Sequence, residues 1–193
     1  TYPTNNTYAK EFFFRIEPAQ RPWVASLDSC GRGLIHASTA LLRGRKMFVW
    51  GTGPGGQRWQ EHLLGPGRAY LETQAGLART QLESLPMPAN SEWAWTEAFG
   101  LMQADPVKAH SADWQEAREA VAAELETMLP HSEMDELSAR FAEVAVTPPE
   151  EILSAGEGWG SLEALRAGKM LPEMPFPEDC IGQDQGLWLS LLR

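Results

Sequence analysis

The side-chain pattern of this chain changes its period once, near Asp105, and that break constrains the fold more than any other feature. Before it, apolar runs of strand length alternate with turns rich in Gly and Pro. After it, apolar residues recur every three or four positions, the spacing of one helical face. The expected class is therefore α+β: an antiparallel β-sandwich portion over residues 1–103, then a helical segment over 104–193, packed on the sandwich or leading into helical repeats. A hydrophobic fraction of 43% in 193 residues supplies a core for one large or two small domains.

The pattern predicts strands over 12–16, 23–27, 33–38, 46–50, 69–75, 80–85 and 92–102, with residues 28–32 (DSCGR) turning the second strand into the third. Beyond the break, Asp113 caps a helix with an apolar stripe of Trp114, Ala117, Val121, Leu125 and Met128, ended by Pro130. Ser132 opens a second helix, Pro149 a short third over 150–155, Gly160 a fourth that stops at Gly168, and Leu187 a last one. A Pro-rich strap is expected over 171–186.

Charge divides the chain at the same place. Residues 1–100 carry ten Lys or Arg against eight Asp or Glu, and residues 101–193 carry six against eighteen. An acidic second half repels phosphates, so nucleic acid is not an expected partner. No apolar run reaches the roughly 18 residues that span a bilayer, so no membrane partner is expected either. Thr1 begins neither a signal peptide nor a chain with its Met, so the sequence reads as a piece of a larger protein. Cys30 and Cys180 have neither metal-type nor redox-type spacing, which fits a reducing, cytoplasmic setting.

Residues 51–56 (GTGPGG) match the glycine spacing of a dinucleotide-binding turn between a strand and a helix. Pro54 removes a backbone donor, the helix over 57–64 is short for a crossover, and the preceding strands form a hairpin. A wide glycine loop between strands is the simpler reading. No metal ligand cluster, serine-nucleophile elbow or P-loop lysine is present, so neither a metal nor another cofactor is expected.

The chemistry is densest over 68–101. At strand spacing, Tyr70, Glu72 and Gln74 share one face, as do Trp93, Trp95, Glu97 and Phe99. Carboxylates beside indoles suit a sugar, whose C–H faces pack on aromatic rings while its hydroxyls bond to carboxylates and amides. Glu72, Glu83 and Glu97 are the candidate catalytic carboxylates, since sugar chemistry needs a proton donor and an acceptor in one cleft. Trp59, Trp93 and Trp95 are candidate stacking platforms, with Gln74, Arg79 and Gln81 to orient hydroxyls. Arg45 and Arg58 would either hold an anionic substituent or mark sheet edges. All of this requires that the acidic side chains and indoles of this region open into one hollow.

The runs GRKMFVWG (44–51), GGQRWQEHL (55–63), YLETQAGLARTQLESLPMPANSEWAWTEAFG (70–100) and LRAGKMLPEMP (165–175) together resemble an uncharacterised bacterial domain family associated with tetratricopeptide-repeat proteins. By similarity that family sits among galactose-mutarotase-like β-supersandwiches, a fold whose members handle sugars. The resemblance implies a carbohydrate-binding or carbohydrate-processing domain with a saccharide ligand. In that fold a histidine acid often partners a glutamate base, but neither His36 nor His62 lies in a motif matching that pair. The alternative is a non-catalytic scaffold or protein-interaction module, with protein partners on the helical segment or self-association.

Overall fold

The computed structural model describes residues 2–148, 150, 151, 153, 154, 156–168 and 180–192. The chain is α+β and divides into two compact units, Thr1–Ser138 and Ala139–Arg193.

The first unit is built on two antiparallel sheets. One has the order β1 (Lys10–Phe13), β4 (Gly44–Val49), β5 (Leu71–Gly76), and the other the order β2 (Trp23–Leu27), β3 (Arg32–Ser38), β6 (Glu97–Gln103). The β2–β3 hairpin forms as the sequence indicates, because Asp28 accepts from the amides of Cys30 and Arg32 and so holds its turn. Across β3 and β6 the register sets His36 against Phe99 and Ser38 against Glu97. Directly opposed residues share a face, so one face of this sheet carries Leu34, His36, Ser38, Glu97, Phe99 and Leu101. The other carries Ile35, Ala37 and Met102.

That second face is the core. Ile35, Ala37, Met102 and Ala104 are buried with Val121 and Leu125 of α3 (Trp114–Met128), and Trp23, Ala25 and Leu27 pack around them. Asp113 starts α3 as expected by accepting from the Gln115 amide. Each such Val or Leu side chain contributes about 1.5–3 kcal/mol when fully buried. Trp114 and Met128, the ends of the stripe, stay exposed. The inner face of the first sheet, through Met47 and Leu71, shares a cavity of about 190 Å³ with Trp23, Ala25, Ala117 and Val121.

Between β4 and β5 lies α1 (Pro54–Leu64). The two strands run antiparallel, so this is not the parallel crossover of a dinucleotide-binding unit. The glycines serve close packing instead: Gly51 has φ +86°, and a Cβ on Gly56 would stand 2.2 Å from the Trp50 carbonyl oxygen. Gln60 ties the helix to the chain just after β4 and just before β5, donating to Gly51 O and accepting from the Tyr70 amide.

A short α2 (Pro106–Ala109) precedes α3, and α4 (His131–Ala145) spans the boundary of the units. In the second unit α5 (Gly158–Ala167) and α6 (Gly186–Leu192) flank a 3-10 turn at Gln183–Gln185, with Ser161, Leu162 and Gln185 buried. Gly158 is where backbones meet, since a Cβ there would stand 2.6 Å from the Cys180 carbonyl oxygen. Parts of the expected helix over 150–155 and of the strap over 171–186 lie outside the described residues.

Two expected strands are corrected. Residues 80–82 bend and turn and 83–85 are irregular, with the Leu82 amide donating to Thr80 Oγ1 and the Arg79 amide to Glu83 Oε2. Leu82 is 94% exposed, so no apolar face draws this segment onto a sheet. The last strand begins only at Glu97, which leaves Trp93 and Trp95 in the irregular segment before it. Pro86 and Pro88 lack the amides that a ladder needs, and the chain rejoins the sheet where the Thr96 amide meets Thr39 Oγ1.

Candidate functional site

Lys46 lies in the middle of β4, the central strand of the first sheet, and is only 6% exposed. Strand alternation turns it to the outer face with Phe48, while Arg45 and Met47 turn inward. A buried ammonium needs partners. Its Nζ donates to Glu11 Oε1 and to Gln81 Oε1, both at 2.7 Å. The Phe13 and Phe48 rings lie 5.7 and 5.6 Å from the same nitrogen, within reach of cation–π attraction.

Lys46 lines a cleft of about 310 Å³ with Phe13, Gln74, Arg79, Gln81 and Glu83. The cleft exists because β5 ends at Gly76 and the chain folds back over β4. A Cβ on Gly44 would stand 2.0 Å from the Ala78 carbonyl oxygen, so only glycine admits that approach. Gln74, the register partner of Lys46, donates to Glu72 Oε2 at 2.9 Å. Arg79 is largely exposed at the rim and pairs loosely with Glu83, at 3.5 Å.

The cleft thus unites Gln74, Arg79, Gln81 and Glu83 of the residues chosen from sequence. Glu72 belongs to the same sheet but is absent from the lining. Glu97 belongs to the other sheet, where its Oε1 accepts from Trp95 Nε1 at 3.1 Å and its Oε2 lies 2.9 Å from His36 Nε2. Burial, then the nearby Arg45 charge, lower the His36 pKa against the pull of Glu97. The ring is 4% exposed and stacks on Phe99 at 4.4 Å. Trp59 is on α1, half exposed, stacked on Trp50 at 5.1 Å. Trp93 is half-buried and Trp95 exposed. The expected single hollow is therefore divided, with Glu72 and Glu97 on different sheets and none of the three indoles lining the cleft.

Arg45 has neither role that the sequence offered. It is 1% exposed, and it donates to the carbonyls of Leu42, Gly44 and Pro22 and to Ser38 Oγ. Burial lowers its pKa to about 10, so it stays charged at neutral pH. Sequence reasoning missed Lys46, Glu11 and Phe13. The available signal was a lysine inside the apolar run KMFVW, where a solvated charge has no place.

Among the described residues no three His, Cys, Asp or Glu are grouped to hold a metal ion, and no helix is long and apolar enough to cross a membrane. Comparison with family models, curated proteins and solved structures finds no match to this chain.

Proposed function

We propose that this chain is a carbohydrate-binding domain whose recognition surface is the cleft on the outer face of the first sheet. One observation carries the reading: Lys46 spends two of its three N–H donors, on Glu11 and Gln81, and keeps one in a cleft that also offers amides and a phenyl wall. Ring hydroxyls meet the ammonium and the Gln74 and Gln81 amides, while an apolar sugar face packs on Phe13. Binding is favoured over turnover because only Glu83 of the three candidate carboxylates lines the cleft, and glycosidic chemistry works with two. With this reading go the galactose-mutarotase-like architecture, for which two antiparallel sheets with a shared interior are partial support, and a place in a larger cytoplasmic bacterial protein associated with tetratricopeptide repeats.

The test is a glycan array on the full chain, followed by calorimetric titration of the best hit. Lys46→Met and Gln81→Ala each lower affinity about tenfold or more, as loss of a hydrogen bond to a charged or amide donor does, while the melting temperature stays close to that of the parent. A folded chain that binds no saccharide on the array overturns the proposal and leaves the scaffold or protein-interaction reading.

A further inference from the structure

Among the described residues the outer strand of the second sheet, β6, pairs only with β3. The Ala104 amide donates to Gly31 O and the Thr39 amide to Thr96 O, which fixes the phase of the ladder. Even-numbered residues from 96 to 104 therefore turn their backbone groups toward β3, and residues 97, 99, 101 and 103 turn theirs to the open edge. Among the described residues no backbone group bonds to that edge. Natural sheets blunt a bare edge with charge, proline or a cover, whereas this one carries Phe99 at 70% and Leu101 at 83% exposure. Leu34, the register partner of Leu101, extends the apolar face.

We propose that a second copy of this chain pairs its β6 antiparallel with this one, about a two-fold axis through Gly100, so that the two second sheets become one of six strands. The strand is complementary to itself in that register. Phe99 opposes the partner's Leu101, and Leu101 opposes the partner's Phe99, each through residues whose backbone groups already face outward. Glu97 opposes the partner's Gln103, whose Oε1 accepts from Arg32 Nε at 2.6 Å within its own chain. A carboxylate of one copy thus lies two strands, about 10 Å, from a guanidinium of the other at both ends of the interface, with Gln103 between them, and no like charges are directly opposed. At Gly100, on the axis, an added Cβ would meet only Ile35 Cγ2 of its own chain, at an ordinary contact distance of 3.7 Å, so a side chain can be placed there as a probe of the pairing. The Phe99 ring is already held in place by stacking on buried His36.

Sedimentation velocity of the full chain at about 100 μM reads a dimer, and Phe99→Lys reads a monomer with unchanged circular dichroism. The double variant Phe99→Lys/Leu101→Glu recovers the dimer, because this register sets each new lysine against a glutamate of the other copy; a register that opposed Phe99 to itself would set lysine against lysine. Independently, Gly100→Cys with Cys30 and Cys180 replaced by Ser forms a disulfide-linked dimer under mild oxidation. A monomeric parent chain, a Phe99→Lys variant that still dimerises, a double variant that stays monomeric, or a parent dimer whose Gly100→Cys form does not cross-link each overturns the proposal. None of these outcomes bears on saccharide binding in the cleft, which lies on the other sheet.

Discussion

The two sheets of the first unit have three antiparallel strands each and differ in how they deal with what they bury. The second sheet buries one face among apolar residues, its Ile35, Ala37 and Met102 closed over by Val121 and Leu125 of α3. The first sheet buries two cations on successive residues of its central strand. Arg45, facing inward, donates from its two terminal nitrogens to three carbonyls and to the hydroxyl of Ser38, a residue of the other sheet, and leaves its Nε buried without a partner. Lys46, facing outward, is satisfied by a carboxylate and an amide. A planar guanidinium with five donors suits carbonyls scattered through a closed interior; an ammonium with three donors is held by two partners and still has one to offer. The inward cation is enclosed by backbone carbonyls, and the outward one lines the candidate cleft.

The comparison breaks first at Arg45. Arg45→Met keeps the bulk and removes every donor, which takes one hydrogen bond from each of the buried oxygens of residues 22, 38, 42 and 44, although the Ser38 amide still donates to Pro22 O and the Ser38 hydroxyl to Leu42 O. The expected cost is about 3–5 kcal/mol in urea unfolding. A cost under about 1 kcal/mol would mean that the buried guanidinium does not join the sheets. Next comes the apolar side. Leu125→Ala opens a hole between α3 and the second sheet and costs about 2–5 kcal/mol by the same measurement, and leaves the saccharide affinity proposed for the cleft unchanged. A parallel loss of affinity would show that the cleft depends on the second sheet.

The smallest effect is one of pH. Burial and Arg45 outweigh Glu97 and hold His36 below its ordinary 6.5, so the folded chain keeps the ring neutral where the unfolded chain already protonates it. Stability from this group is full above about pH 6.5 and is lost as pH falls through the lower folded value. The melting temperature of His36→Gln therefore falls less between about pH 7 and about pH 5 than that of the parent chain. Equal slopes would remove His36 from the pH response.

Much of the secondary structure was legible, for reasons tied to particular residues. Asp113 and the Ala117–Val121–Leu125 stripe mark α3 because capping and helical period are local properties. The turn at Asp28 marks the β2–β3 hairpin in the same way. Residues 80–85 misled because alternating Thr, Leu and Glu resembles a strand until Leu82 turns out to have no neighbour to pack on. The site was half legible. Gln74, Arg79, Gln81 and Glu83 lie within ten residues and meet in one cleft, but the alignment of Glu97 with Glu72 assumed one sheet where there are two.

The sequence by itself determined where strands give way to helices, which residues cap and turn, and that a lysine stands inside an apolar run, because these depend on dihedral preference and spacing along a few residues. Only the tertiary structure decided that β4 is flanked by β1 and β5, that Arg45 turns inward and Lys46 outward, and that among the described residues β6 pairs on one side. Strand partners are chosen by burial between segments tens of residues apart, and a shift of one position in that choice exchanges the two faces of a strand.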